Sequence, residues 1–455
     1  MLDDTIAAIS TPLGEGGLAV VRLSGRDALA VADRSFQPVG KSSLPPSAAP
    51  THTIHYGKVT HQNRVVDEVL LSVLRAPRTF TREDMVEISC HGGLLPAKLV
   101  LDTLLESGAR LAEPGEFTKR AFLNGRIDLA QAEAVADLIH SRTELALAAA
   151  NEQLAGKLSQ RINTLRDDLM RVLAHIEAHI DFPEEDIAPD TKEVILERLE
   201  AATKFIDELL RTAHEGQILR RGLRAAIIGR PNVGKSSLLN QLLGHERAIV
   251  SPIPGTTRDT IEETANIRGI PVVFIDTAGL RESGDAIELE GIRRSRETLG
   301  RAELILHVLD ASEPMTREDE LRGQEFTGKK RVLIRNKIDL RHRLCLAEIA
   351  GPSVDVSCVT GQGIETLKDA IRSLVWGGEI RTEMLQVMIN SRHQDALQRA
   401  RAATQRTLEA LRAGLTLELV ALDLRIGVNA VGEVVGKTTT EDLLDSIFSQ
   451  FCLGK

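Results

Sequence analysis

At 455 residues the chain is too long for one core, and at ~150 residues per domain it holds about three. Apolar residues make up 42% and charged residues 27%, an ordinary globular balance. A net charge of −9 with only 3% aromatic residues gives no overall basic face and few stacking platforms, so an RNA substrate would need local basic patches or a partner to hold it.

No run approaches the ~18 apolar residues of a membrane span. Residues 1–30, with Asp3 and Asp4 and no long apolar stretch, predict no signal peptide. Cys90, Cys345, Cys358 and Cys452 are scattered, without the spacing of a zinc site or disulfide framework. The expected setting is a reducing cytosol, hence a cytoplasmic protein without a membrane partner.

Residues 1–125 read as mixed α/β. Thr5 to Ser10, Leu18 to Leu23, Val65 to Leu74 and Met85 to Ser89 have the composition of strands, and Gly92 to Ser107 carries a helical apolar pattern. From Ile127 the period becomes helical. Leu154, Leu158, Ile162, Leu165, Leu169, Val172, Ile176 and Ile180 recur at spacings of three and four, predicting one long amphipathic helix. The acidic stretch DFPEEDIAPD (181–190) breaks it, and Ile195, Leu199, Ala202, Ile206 and Leu209 mark the next helix. Ile389 to Leu415 is helical again, with a stripe through Leu397, Ala400, Leu408, Leu411 and Leu415. Helices therefore flank an α/β segment, which predicts one helical domain interrupted by another fold. The expected borders are 1–125, 126–219, 220–378 and 379–455.

The interrupting segment carries the chemistry. AAIIGRPNVGKSS (225–237) is an apolar strand, a Gly-rich turn and a helix start, fitting GxxxxGK[ST] at Gly229, Gly234, Lys235 and Ser236. In such a loop the backbone amides, including those of Asn232, Val233 and Gly234, curl around a β-phosphate. Lys235 neutralises charge between β and γ oxygens, and Ser236 offers a hydroxyl to Mg²⁺, with Ser237 following. PGTTRD (254–259) places Thr257 as the switch threonine that completes magnesium coordination. VVFIDTAG (272–279) ends a strand at Asp276, placed to hold the magnesium through water; Thr277, Ala278 and Gly279 follow, with the Gly279 amide facing the γ-phosphate.

Base choice is read from VLIRNKID (332–339). Asp339 can accept hydrogen bonds from guanine N1–H and the 2-amino group, a donor pair that adenine lacks. Asn336 and Lys337 brace the base, and SCVTGQG (357–363) supplies backbone donors at Ser357, Cys358 and Val359. The expected ligand is GTP with Mg²⁺, and the expected fold a Ras-like P-loop G domain. One departure bears on mechanism. Leu280 stands where a Ras-like enzyme has a water-orienting Gln, and Glu288 in RESGDAIELE (281–290) is the candidate replacement.

Four stretches carry a wider resemblance: DTIAAISTPLGEGGLAVVRLSG (4–25), PGEFTKRAFLNGRIDLAQAEAVADLI (114–139), the G motifs with GRPNVGKSSLLN, and IFSQFCLGK (447–455). Together they resemble the MnmE/TrmE family of tRNA-modification GTPases along the whole chain. The resemblance implies a multidomain α/β and all-α protein: an N-terminal α+β folate-binding-like and dimerising domain, a helical domain and the inserted G domain. It implies a homodimer acting with an FAD-dependent partner protein, in a heterotetramer or larger complex. The reaction so implied modifies the wobble uridine of certain tRNAs at carbon 5 with an aminomethyl or carboxymethylaminomethyl group. The one-carbon unit would come from 5,10-methylenetetrahydrofolate or a related reduced folate.

By the same resemblance, G domains dimerise around K⁺ during hydrolysis, with Asn232, Ser251, Ile253 and Thr256 at the ligand positions; Ser251 replaces the commoner Thr. Lys235, Thr257 and Glu288 take catalytic roles. The folate pocket falls on Arg22, Glu87, Arg126 and Lys455, where cations suit glutamyl carboxylates and a carboxylate suits the pterin donors. The family commonly has Lys where this chain has Arg126. Cys452 matches the family's C-terminal Cys.

Two other readings belong beside it. A ribosome-assembly or regulatory GTPase switch that binds RNA would use the arginines strung along one helix at 392, 399, 401, 406 and 412. A folate-binding structural dimer would use the G domain only to gate assembly.

Overall fold

The computed structural model describes residues 4–40, 44–62, 64–181, 192–244, 263–275, 300–317, 319–321, 328–344, 351–376, 385–386 and 388–454. They fall into two compact units, Met1–Ala136 with Gly432–Lys455, and Asp137–Val431. No helix among the described residues is long and apolar enough to cross a membrane.

The first unit is built on a seven-stranded sheet of order β3-β4-β5-β6-β2-β1-β7. Its strands are β1 (Ile6–Ile9), β2 (Leu18–Ser24), β3 (Phe36–Pro38), β4 (Thr53–His61), β5 (Arg64–Leu74), β6 (Met85–His91) and β7 (Arg110–Leu111). Alternation assigns the faces. Ala19, Val21 and Leu23 of β2 join Val69, Leu71 and Val73 of β5 and Val86, Ile88 and Cys90 of β6 in one core, covered by the helices Ala28–Ser35 and Leu94–Glu106. Each such Val or Leu contributes about 1.5–3 kcal/mol by burial. The intervening residues, Arg22 and Glu87 among them, therefore stand on the opposite face.

A second core in this unit joins distant parts of the chain. Leu129 and Ala132 pack with Leu444 and Phe448 of the helix Glu441–Phe448 and with Phe451 beyond it.

The second unit contains the helices Glu144–Leu154, Lys157–Asp181, Lys192–Arg211, Ala213–Arg221 and Ser391–Ala413. The periodic apolar residues from Leu158 to Ile176 and from Ile195 to Leu209 are buried as their spacing requires. The single helix expected to start by Leu154 is instead two. Leu154 closes the first, and Gly156, at φ +81°, takes a left-handed conformation that ends its run before the second begins. Leu415 also departs from expectation: it lies beyond the left-handed cap Gly414 and is 51% exposed. The stretch DFPEEDIAPD lies outside the described residues after Asp181.

Within this unit stands a six-stranded sheet of order β13-β12-β11-β8-β10-β9. Its strands are β8 (Leu223–Ile228), β9 (Glu263–Ile267), β10 (Ile270–Phe274), β11 (Leu304–Asp310), β12 (Lys330–Asn336) and β13 (Ser353–Asp355). All neighbouring pairs are parallel except β9 with β10. The chain passes from β8 to β9 and β10 on one side, then crosses to β11 on the other. That reversal makes the carboxyl end of β8 a switch point, where open α/β sheets bind ligands.

The two chain connections of this sheet region meet. A Cβ placed on Gly216, in the incoming helix Ala213–Arg221, would lie 2.5 Å from the carbonyl oxygen of Ile389 on the outgoing side. Gln217 reinforces the meeting by donating to Gln394 at 2.9 Å.

Candidate active site

The phosphate-binding loop follows β8 and opens the helix Lys235–Leu243. Gly234 caps that helix at φ +99°, and a Cβ there would come within 2.2 Å of the Asn336 amide nitrogen, so only glycine fits. Asn232, at φ +61°, also takes a left-handed turn and is exposed. Lys235 bends over the loop, donating to the carbonyls of Gly229 at 3.0 Å and Arg230 at 2.8 Å. Its ammonium thus lies against the loop whose amides and helix N-terminus favour phosphate. Ser236 and Ser237 follow on the first turn, both exposed.

The segments expected to read the base come from two other strand ends. Asn336 closes β12 and is 98% buried, donating to Val233 O at 2.8 Å and accepting from the Cys358 amide at 3.2 Å. One amide side chain thereby joins the phosphate loop to the SCV loop. Gln241 adds a second tie, donating to Cys358 O at 2.8 Å. Lys337, at φ +66°, pairs with Asp310 at 2.5 Å. Burial alone would raise the Asp310 carboxyl; hydrogen bonds from Lys337 and Ser312 outweigh it and hold the group below its usual range. Asp339 is exposed, two residues beyond Lys337. Burial and then the Asp339 charge push the Cys358 thiol up to about 11. The Ile338 amide donates to Val356 O at 3.3 Å, which sets the segment before Asp339 against the start of the SCV loop. Ser357 is buried and its hydroxyl accepts from the Thr360 amide, shaping the turn, while Val359 is 85% exposed.

Other expected site residues lie outside the described residues: Ser251, Ile253, Thr256, Thr257, Asp276, Thr277, Ala278, Gly279, Leu280 and Glu288. Among the described residues no group of three or more His, Cys, Asp or Glu could hold a metal ion. Ser236, an exposed hydroxyl beside Lys235, fits a contributor to a divalent ion held mainly by phosphate oxygens.

A second constellation lies in the first unit. Arg22 and Glu87 are direct cross-strand partners on β2 and β6, paired at 2.7 Å. Arg22 also donates to Gly454 O at 3.4 Å, and Ser10 donates to the same oxygen at 3.1 Å. Gly454 requires its missing side chain: at φ +83° a Cβ would lie 2.5 Å from Ile9 O. The segment Phe448–Gly454 is anchored by buried Phe448 and Phe451, leaving Cys452 exposed. Arg126 donates to Thr79 O at 2.7 Å and lies over the Phe80 ring at 5.0 Å. Lys455 lies outside the described residues.

The sequence profile "MnmE helical domain" matches residues 129–452, and "GTP-binding protein TrmE N-terminus" matches residues 5–126. Over 461 aligned residues the chain is 50% identical to the tRNA modification GTPase MnmE of Geobacillus kaustophilus, covering 99% of each chain. This protein belongs to the MnmE family of tRNA modification GTPases. It is also 48% identical to the Bacillus subtilis member, over 99% of this chain and 100% of the other. Among solved structures, the G domain of the T. maritima FeoB iron transporter aligns at 28% identity, covering 33% of this chain and 98% of that one, with a TM-score of 0.25.

Sequence reasoning missed several supports of this MnmE-family site. Arg230, inside the phosphate loop, donates to Asp319 at 2.9 Å, whose side chain is 1% exposed. Asp319 in turn accepts from the Thr316 amide and hydroxyl. Asp310 was legible as an acid closing the apolar run LILHVLD, but its pairing with Lys337 was not. In the first unit, fully buried Arg120 pairs with Asp4, Glu83 and Glu116. Four of the five arginines that favoured a freely RNA-binding helix are engaged with acids. Arg399 pairs with Asp395, Arg401 with Asp207, Arg406 with Asp423 and Arg412 with Glu200.

Proposed function

We propose that this protein hydrolyses GTP in a tRNA-modification reaction. The observation that carries the nucleotide half is Asn336, three residues before Asp339, which ties the phosphate loop to the SCV loop. Charge at the β and γ phosphates is neutralised by Lys235 and by the amides of residues 232–236. Guanine is selected by the Asp339 carboxylate, because adenine has no matching pair of donors. The tRNA half rests on the family, whose curated members compared above are named tRNA modification GTPases over nearly the full length of this chain.

The finer reading extends the family's pattern. Mg²⁺, with Ser236, Thr257 and Asp276 nearby, would supply charge neutralisation. K⁺ at Asn232, Ser251, Ile253 and Thr256 would take the place of an arginine finger, a device worth ~10³–10⁵ in rate. Glu288 would orient the attacking water. Arg22, Glu87, Arg126 and Lys455 would hold a reduced folate. A homodimer working with an FAD-dependent partner would modify the wobble uridine, with domain borders near residues 125, 219 and 378.

The test compares GTP and ATP turnover by the purified protein, then repeats it with Asp339→Asn. The variant is expected to lose GTP affinity and gain xanthosine triphosphate, whose 2-oxo group wants a donor. Unchanged GTP affinity would remove the guanine assignment. Mass spectrometry of tRNA nucleosides from a deletion strain tests the other half.

A further inference from the structure

The helices Lys157–Asp181 and Lys192–Arg211 leave between them a cavity of about 430 Å³, far along the chain from every G motif. Its floor is apolar, with buried Leu165 and Ala202 beside half-buried Phe205. Its rim is cationic. Arg161 and Arg171 stand on the first helix in register with Leu165 and Asp168, and Arg198 stands on the second, one and two turns before Ala202 and Phe205. At 1.5 Å per residue, Arg161 and Arg171 are separated by about 15 Å along the helix.

Two of the rim arginines differ from those elsewhere in the helical region. Arg401, Arg412 and Arg425 each pair with a carboxylate on another helix. Of the groove arginines, Arg171 meets only its own helix neighbour Asp168, at 3.3 Å and exposed to water. Arg161 makes no hydrogen bond or ion pair among the described residues. Three guanidinium groups and one carboxylate thus frame a single groove in a chain of net charge −9.

We propose that this groove binds a stretch of RNA backbone, with phosphates on Arg161 and Arg171 and a base stacked on Phe205. The proposal rests on the tRNA reading above and gives that RNA a place on the chain. The guanidinium fork matches phosphate oxygens in pairs. An aromatic face on an apolar floor takes any base, because every base has a π-face. A cavity of this size lies within the range of small-ligand sites and suits one or two unpaired nucleotides rather than a duplex.

The experiment titrates tRNA against intact protein between about 50 and 200 mM salt. It compares wild type, the double variant Arg161→Gln/Arg171→Gln, and Phe205→Leu. Removing one cation that neutralises a single-strand phosphate lowers the slope of log K against log salt by about 0.7, so the double variant should lose about 1.4. Its affinity should fall at least ~10-fold, with GTP turnover unchanged as the check on folding. Phe205→Leu should weaken binding without altering the slope. Wild-type affinity and slope in the double variant would overturn the groove assignment alone. So would loss of an acidic protein partner with tRNA affinity intact. A wild-type protein that binds no tRNA would overturn the groove and the tRNA reading together.

Discussion

Replacing Asn336 with alanine should cut the link between the phosphate loop and the base-reading loop. Its amide makes two hydrogen bonds, to Val233 O and from Cys358 N, between residues that are themselves buried. Truncation leaves one acceptor and one donor with no partner of their own. At ~1–3 kcal/mol for each stranded buried group, the loss totals about 2–6 kcal/mol. Part falls on folding and part on nucleotide affinity, because GTP or GDP would have to order both loops on binding. Even about 2 kcal/mol assigned to affinity weakens GDP roughly 30-fold, at 1.4 kcal/mol per factor of ten. Calorimetric titration of GDP reads the affinity. Trp376, the chain's one tryptophan, is buried in the same core and reports denaturant unfolding of that region. A variant with GDP affinity within twofold of wild type and an unchanged unfolding midpoint would refute the bracing role.

Glu288→Ala should keep nucleotide affinity within a few-fold while hydrolysis falls at least ~10², the usual range for losing a water-positioning or proton-transfer group; near-normal turnover would move the role elsewhere, with Glu282 or Asp285 next in line. Gly454→Ala should displace the segment from Arg22 and Ser10, because its Cβ would overlap Ile9 O. Reduced-folate binding should weaken by calorimetry while GTP hydrolysis persists, and equal binding would take the segment out of the proposed folate site. Asp4 and Glu116 are opposed by burial but held below the ordinary carboxylate range by Arg110 and Arg120. Their lowered folded-state pKa values mean stability that is full above the unfolded carboxylate pKa and lost as pH falls through the folded one. The first unit should therefore weaken only in that acid window, followed through Tyr56, the chain's one tyrosine; an acid midpoint unmoved by Arg120→Met would refute this.

Local pattern carried much of the fold. Alternation in β2, β5 and β6 and the three-and-four spacing of the long helices each record which face is buried. The break at Ala155–Gly156 was hidden because Leu154 and Leu158 keep helical spacing across it, and only the left-handed Gly156 ends the run. The strand, Gly-rich turn and helix start of the phosphate-loop motif were legible because such a turn demands particular residue types at fixed spacing. The supports of the G motifs were not: Asp319 under Arg230 and Asp310 under Lys337 join segments 89 and 27 residues apart. Arg22 and Glu87 looked like ordinary surface charges, and only the register of two strands 65 residues apart makes them a pair. The Arg120 cluster was invisible for a related reason. A fully buried arginine is stable only with several acids converging on it, and no single segment holds them all.

The touch between Gly216 and Ile389 brings the incoming and outgoing chain of the α/β segment to one doorway. Chain enters and leaves at one spot, and outside it the segment rests on Leu145, Ala146, Ala148 and Ala149 of the helix Glu144–Leu154. Excising the stretch between those residues and rejoining the ends through a few Gly and Ser would demand little closure entropy, since doubling a loop costs only about 0.6 kcal/mol. What remains would be a nucleotide-blind frame, useful for asking which interactions never needed GTP. The same doorway could seat a foreign fold with adjacent ends, such as a fluorescent reporter, wherever movement at that junction is to be read.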